Sequence, residues 1–126
     1  MSRRPLTDVE RRFLAHPQGL ARLATVDAAG LPHVVPTVWR WDAASGDLLL
    51  TGRDLARTVR ARNVAAHPFA AAVVDGVADG PGWQPWALAV RGPARYDEGV
   101  AAIRLTPLDV TSWGLEAWEA TLPAAG

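Results

Sequence analysis

Between Leu20 and Leu105 the chain falls into short apolar runs cut by Asp/Gly turns, and only one stretch within that span reads as helix. This alternation restricts the fold more than any other feature, because such runs can bury one face only by pairing side by side. Leu20 to Val26 predicts a strand, Asp27-Ala-Ala-Gly30 a hairpin turn, and Pro32 to Trp41 a second strand whose two prolines suit an edge or a bulge. Asp42-Ala-Ala-Ser-Gly46 turns again into a third strand, Asp47 to Gly52. Asp54 is expected to cap a helix running to about Ala66. Phe69 to Asp75 is nearly continuous apolar sequence and is expected to be buried on both faces. Gly76 to Pro85 reads as a loop, Trp86 to Tyr96 as a long strand with a bulge at Arg91-Gly-Pro93, and Ala101 to Leu105 as a strand of the same sheet.

The flanks are simpler. Thr7-Asp-Val-Glu10 matches a capping box, so a short helix is expected through about Ala15 with Val9, Phe13 and Leu14 inward, ended by Pro17 and Gly19. From Pro107 onward an irregular segment is expected, followed by weak helix or disorder. Residues 1–6 and about 116–126 are expected to be flexible tails of one domain spanning 1–126. Mostly antiparallel strands, with one helix crossing between the third and fourth, predict a small β-barrel with helical additions. Its mouth would open to solvent or to a partner subunit.

Composition narrows the function. Formal net charge is zero, which gives no electrostatic pull toward nucleic acid or acidic membranes. No apolar run has the length of a membrane span, and Met-Ser-Arg-Arg leads into polar sequence, so a cytoplasmic protein is expected. Cysteine is absent, removing thiolate nucleophiles and cysteine-ligated zinc. Every basic side chain is arginine, so Schiff-base chemistry on a lysine is excluded. The serines, Ser2, Ser45 and Ser112, lie at a terminus, in a turn and in the tail, none in a nucleophile-elbow setting. His16, His33 and His67 belong to different elements without carboxylates at ligand spacing, which argues against a metal site. Asp42 with Asp47, and Glu116 with Glu119, read as surface charges.

One segment survives this elimination. Arg53, Arg57, Arg60 and Arg62, four of the thirteen basic residues, are interleaved with Thr51 and Thr58 where a strand ends in Thr51-Gly52 and a helix begins. Guanidinium forks, hydroxyls and free helix-start amides are equipment for gripping a phosphate. On an unbroken helix Arg57 and Arg60 share one face, with Leu55 and Val59 opposite and packed on the barrel. The same spacing also describes a solvated cationic helix face. If the protein is an enzyme, a phosphorylated cofactor is expected to carry the reaction.

The order of several pieces points to a family. Leu23-Ala-Thr-Val-Asp27, Gly30-Leu-Pro-His-Val-Val-Pro36, Thr51-Gly-Arg-Asp54, Arg57-Thr58, Arg62-Asn63 and His67-Pro-Phe-Ala-Ala71 together resemble the pyridoxamine 5'-phosphate oxidase-like flavin-binding split barrels. Val90-Arg-Gly92, Ile103-Arg-Leu-Thr-Pro107 and Ser112-Trp-Gly-Leu115 resemble the actinobacterial branch that uses the deazaflavin coenzyme F420, including small reductases acting late in tetracycline-type pathways. The resemblance covers about residues 6–115.

It implies a six-stranded antiparallel Greek-key split barrel that forms a homodimer with cofactor sites at the interface. It implies cofactor contacts from Pro36, Thr37, Val38, Thr51, Gly52, Arg53, Arg57, Thr58, Arg60 and Asn63, with Thr58 and Arg60 as the hydroxyl and basic pair on the phosphate. Trp39, Trp86 and Trp113 would line the substrate pocket. The implied activity is hydride transfer from F420 to an unsaturated or imine carbon of a small molecule; FMN on the same fold, and a non-redox binding protein or cofactor-free cyclase, stay open as alternatives. No nucleic acid, membrane or metal is implied, and no side chain is assigned as catalytic, though Tyr96 and His33 could act as acid or base. The chain departs from the family in Trp83-Gln-Pro-Trp86, where an indole replaces a basic residue, in a short stretch between Arg95 and Ile103, in Val64 for leucine and in Arg60 for lysine.

Overall fold

The computed structural model describes residues 4–123. The expected tails at 1–3 and 124–126 lie outside the described residues. Helix α1 (Asp8–Leu14) is capped as predicted: Glu10 N–H donates to Thr7 Oγ1 at 3.2 Å and Thr7 N–H donates to Glu10 Oε1 at 2.9 Å. Eight strands follow, not six: β1 (Ala21–Val26), β2 (Pro32–Thr37), β3 (Trp39–Asp42), β4 (Asp47–Leu50), β5 (Phe69–Ala78), β6 (Gln84–Asp97), β7 (Ala102–Leu105) and β8 (Asp109–Trp113). Helix α2 (Val59–Ala66) crosses between β4 and β5, and α3 (Leu115–Glu119) follows β8.

All pairings are antiparallel, in the order β2-β1-β5-β6-β7-β4-β3, with β8 added on β6. The path is not closed by pairing, and two crossing strands explain its shape. The expected second strand splits at Val38: β2 pairs with β1, and β3 pairs with β4. Likewise β6 pairs β8 through Arg91 and β5 through Pro93, and then β7 from Ala94. The change falls at Gly92–Pro93, where a Cβ on residue 92 would run into the Thr106 carbonyl oxygen. Two sheets thus share strands at both crossings and enclose one core of Leu23, Leu50, Leu88, Ile103 and Leu105.

Several expectations are corrected. Phe69 to Asp75 is not buried on both faces; its burial alternates, and Phe69 is 61% exposed. The expected loop from Gly76 to Pro85 is mostly hairpin, with β5 reaching Ala78 and β6 starting at Gln84. The expected irregular segment after Pro107 contains β8, whose Val110 and Ser112 point one way and Asp109, Thr111 and Trp113 the other. Of the weak helix or disorder expected at the end of the tail, the helix is what forms at Leu115–Glu119, so the flexible tail does not begin at 116: Leu115 and Trp118 are fully buried and Trp118 packs edge-on against Phe13 at 4.9 Å.

A polar clasp ties α1 to β8. Arg4 donates to both carboxylate oxygens of Glu10 at 2.8 Å and to the Val110 carbonyl at 2.9 Å, while Ser112 Oγ donates to Glu10 at 2.6 Å. Glu10 is 1% exposed, and its carboxyl is held down to about 2, chiefly by the Arg4 hydrogen bonds.

Candidate functional site

Strand β4 ends at Leu50, and the Thr51 N–H donates 2.9 Å to the carbonyl of Val38, the residue between β2 and β3. That bond sets Pro36-Thr37-Val38 beside Thr51-Gly52-Arg53, two groups that the sequence keeps apart. Val38 is 60% exposed, whereas Thr37 is buried with its Oγ1 lacking any hydrogen-bond partner.

The expected single helix from Asp54 to Ala66 is two pieces. Asp54 has left-handed backbone (φ 48°) and caps nothing with its side chain; a 3-10 turn, Leu55–Arg57, follows it. The true N-cap is Thr58, whose Oγ1 accepts from Ala61 N–H at 3.2 Å and donates to the Leu55 carbonyl at 2.6 Å. The break removes Arg57 and Arg60 from a common helix face. Leu55 packs inward as expected, but Val59 is 41% exposed and the helix instead buries Ala61, Asn63 and Val64.

Arg60 is the residue that the fold treats differently. Its side chain turns back over the strand end so that its Nη2 occupies the space a Cβ on Gly52 would fill. Its Nε is buried without an acceptor, and burial pulls the guanidinium pKa down with no acid to offset it. Among the described residues Arg40, on β3, and Arg53, Arg57, Arg60 and Arg62 have no carboxylate partner, while Arg4, Arg11, Arg12, Arg22, Arg91, Arg95 and Arg104 are all ion-paired. Four of these five unpaired guanidinium groups are therefore gathered here. Such a group suits a phosphate or another anion.

The other expected residues scatter. Arg57 lines a hollow of about 320 Å³ with Gly52, Leu55, Tyr96 and Ala101, and its carbonyl accepts from Arg62 at 3.1 Å. Asn63 is buried, donating 3.0 Å to Thr25 Oγ1, so it braces α2 against β1. Trp39 is not on a pocket wall: it is 2% exposed, stacked on Phe13 at 6.2 Å, with its Nε1–H donating to Gln18 O at 3.2 Å. Trp86 is half-buried and edge-on to Phe13 at 5.6 Å. Trp113 is 51% exposed on β8.

A larger feature was not read from the sequence. On the outer face of β2, β1, β5, β6 and β8 lie two hollows of about 500 and 360 Å³ that share Ala24, Ala71 and Arg91. Their linings are small and apolar, including Val34 and Ala89 in one and Val26 and Phe69 in the other. The signal was the alternation within β5, hidden because both of its faces carry alanine and valine. Among the described residues no group of His, Cys, Asp and Glu is placed to hold a metal, and no helix is long and apolar enough to cross a membrane.

No family model matches the sequence. A relative from Streptomyces rimosus, 5a,11a-dehydrotetracycline/5a,11a-dehydrooxytetracycline reductase, is 35% identical over 125 residues, covering 89% of this chain and 85% of its own length. The fold is shared with an FAD-binding protein of Mycobacterium smegmatis (TM-score 0.60, 23% identity, 85% of this chain and 93% of that one). It is shared also with an F420 reductase (TM-score 0.59, 20% identity, 79% and 94%). With this kinship over most of its length the chain belongs to the family of that dehydrotetracycline reductase, and its crossing strands give it the split-barrel fold of those FAD-binding and F420 reductase structures, the fold that its resemblance to the pyridoxamine 5'-phosphate oxidase-like proteins implied.

Proposed function

We propose that the protein is an oxidoreductase that uses coenzyme F420 to reduce an unsaturated or imine carbon of a small organic substrate in secondary-metabolite biosynthesis. The observation that carries this reading is the half-buried Arg60 guanidinium laid over Gly52, without a carboxylate, amid three other unpaired arginines. The kinship with a dehydrotetracycline reductase supports the reaction class. The hydride chemistry would belong to the bound coenzyme.

The chain's own residues have narrower tasks. Arg60 offers a planar fork to the phosphate, and Arg53, Arg57 and Arg62 spread positive charge for a longer anionic tail. Pro36, Thr37 and Val38 would run beside the ring, with Val38 supplying the exposed surface and Thr37 packed beneath it. Thr58 acts by fixing the start of α2, from which Arg60 projects. A second copy of the chain completes the site. Its support is the apolar outer sheet face, with Val34 at 68% and Phe69 at 61% exposure, bordered by the mixed-sign pairs Arg22–Asp75 and Arg91–Asp109. At zero net charge two copies do not repel one another. Trp113 stands on the same outer face of β8 as Thr111 and would reach toward the shared pocket.

The test is direct. The purified protein is scanned by absorbance, titrated with F420 and FMN, and sized by light scattering. The reading expects a dimer that binds F420 more tightly than FMN and loses that binding in Arg60→Ala. A yellow protein with tight FMN binding would move the cofactor to FMN. Failure to bind either would replace the redox reading with non-redox ligand binding, and a monomer would remove the shared site.

A further inference from the structure

Gly52 is glycine for the sake of a side chain and not of its own backbone. Its φ lies outside the left-handed region, so any residue could adopt its conformation. A Cβ there would meet no backbone atom: it would overlap Nη2 of Arg60 and stand 3.4 Å from Cζ. The obstructed group is the far end of a flexible side chain, which can swing away at small cost. Alanine at 52 is thus compatible with the fold but not with the observed place of the guanidinium.

That place is held by very little else. No carboxylate pairs with Arg60, and its Nε has no acceptor. What defines the guanidinium's position is the arginine stem on α2 and the bare floor at Gly52, next to Thr51, whose N–H is already committed to Val38. We propose that Gly52 is a positioning residue: its missing side chain leaves the space that the Nη2 end of the Arg60 guanidinium enters, and so fixes the direction in which the remaining N–H groups meet an anion. This rests on the reading of Arg60 as the phosphate anchor and adds a requirement that the anchor reading alone does not contain. An arginine that had to reorient on binding would lose part of its preorganised fork.

A four-member mutant cycle tests it: wild type, Gly52→Ala, Arg60→Ala and the double variant. Each is titrated with F420 and FMN, and each is also melted with and without inorganic phosphate or pyrophosphate, a readout that needs no cofactor. Gly52→Ala is expected to melt close to wild type in the absence of anion. It is expected to bind the cofactor about 10- to 100-fold more weakly, the range for a lost charge-assisted hydrogen bond. In the Arg60→Ala background the same substitution should do nothing further, because the group it displaces is gone. Wild-type affinity in Gly52→Ala, or an equal loss in the Arg60→Ala background, overturns the proposal. If wild type binds neither cofactor, the functional reading fails but the floor is still judged by anion-dependent melting: stabilisation of wild type and not of Gly52→Ala supports it. Absence of any anion effect on wild type overturns it as well.

Discussion

Strand β4 runs from one arginine site to another, and the two could hardly differ more. Near its start Asp47 joins Asp42 and Asp97 around Arg104, which donates 2.6 Å to Asp97 and 3.2 and 3.3 Å to the other two. Just past its end Gly52 lies under Arg60, which has no acid at all. Arg104 has its pKa raised, by Asp97 first, whereas burial lowers that of Arg60. A surrounded guanidinium stitches β3, β4, β6 and β7 together; an unpaired one, kept partly dry, is available to a ligand. The same side chain is therefore taken up by the fold at one end of a strand and left unpaired at the other, and only its neighbours make the difference.

That contrast is open to attack from several directions. The largest effect is expected from Arg60→Ala, which should weaken F420 binding by about 10- to 100-fold in a fluorescence titration while leaving the apo melting temperature near wild type. A large loss of stability would mean that Arg60 is structural after all. Comparable in size is the Glu10 clasp. Its carboxyl sits near 2 in the folded protein against 4.5 as a free side chain. Its stabilisation, roughly 2–3 kcal/mol, is complete above about pH 5 and drains away as pH falls through the acid range toward 2. Glu10→Gln should flatten that limb of a stability–pH curve, and an unchanged acid limb would contradict the burial of this pair.

Arg104→Ala should show the reverse of Arg60→Ala: a lower melting temperature and cofactor affinity within about twofold of wild type, since the sites share no partners. Asp97 and Asp42 would then lose a cause of their lowered pKa values, Asp97 its principal one, which NMR titration of the carboxyls can follow. The smallest effect belongs to Thr58→Ala, which removes an N-cap and should cost about 1 kcal/mol of stability. Thr58→Ser should restore both stability and binding. A severe affinity loss in Thr58→Ala without destabilisation would instead make the hydroxyl a direct phosphate ligand.

How much of this was legible varies by element. The capping box at Thr7 and the turns at Asp27 and Asp42 were read correctly because their chemistry is local: each side chain bonds backbone a few residues away. The helix after Gly52 was misplaced by four residues, since Asp54 and Thr58 are both good caps and only packing chose between them. The tail was misread because β8 has just one partner strand, and nothing within Asp109–Trp113 announces that Glu10 and Arg4 will hold it. Trp39 looked like pocket lining and turned out to be core, a distinction set by which face of β3 meets Phe13.

By itself the sequence determined the class of the fold, the family and the presence of a basic strand end, because turn chemistry, strand periodicity and charge clustering act over a few residues. Tertiary structure alone decided which arginines are paired and which one is half-buried without an acid. Ion pairing joins residues dozens of positions apart, as Arg104 does with Asp42 and Asp47, and it consumes cations that look equivalent in the chain. Arg60 was left over, laid on a glycine whose missing side chain makes room for it.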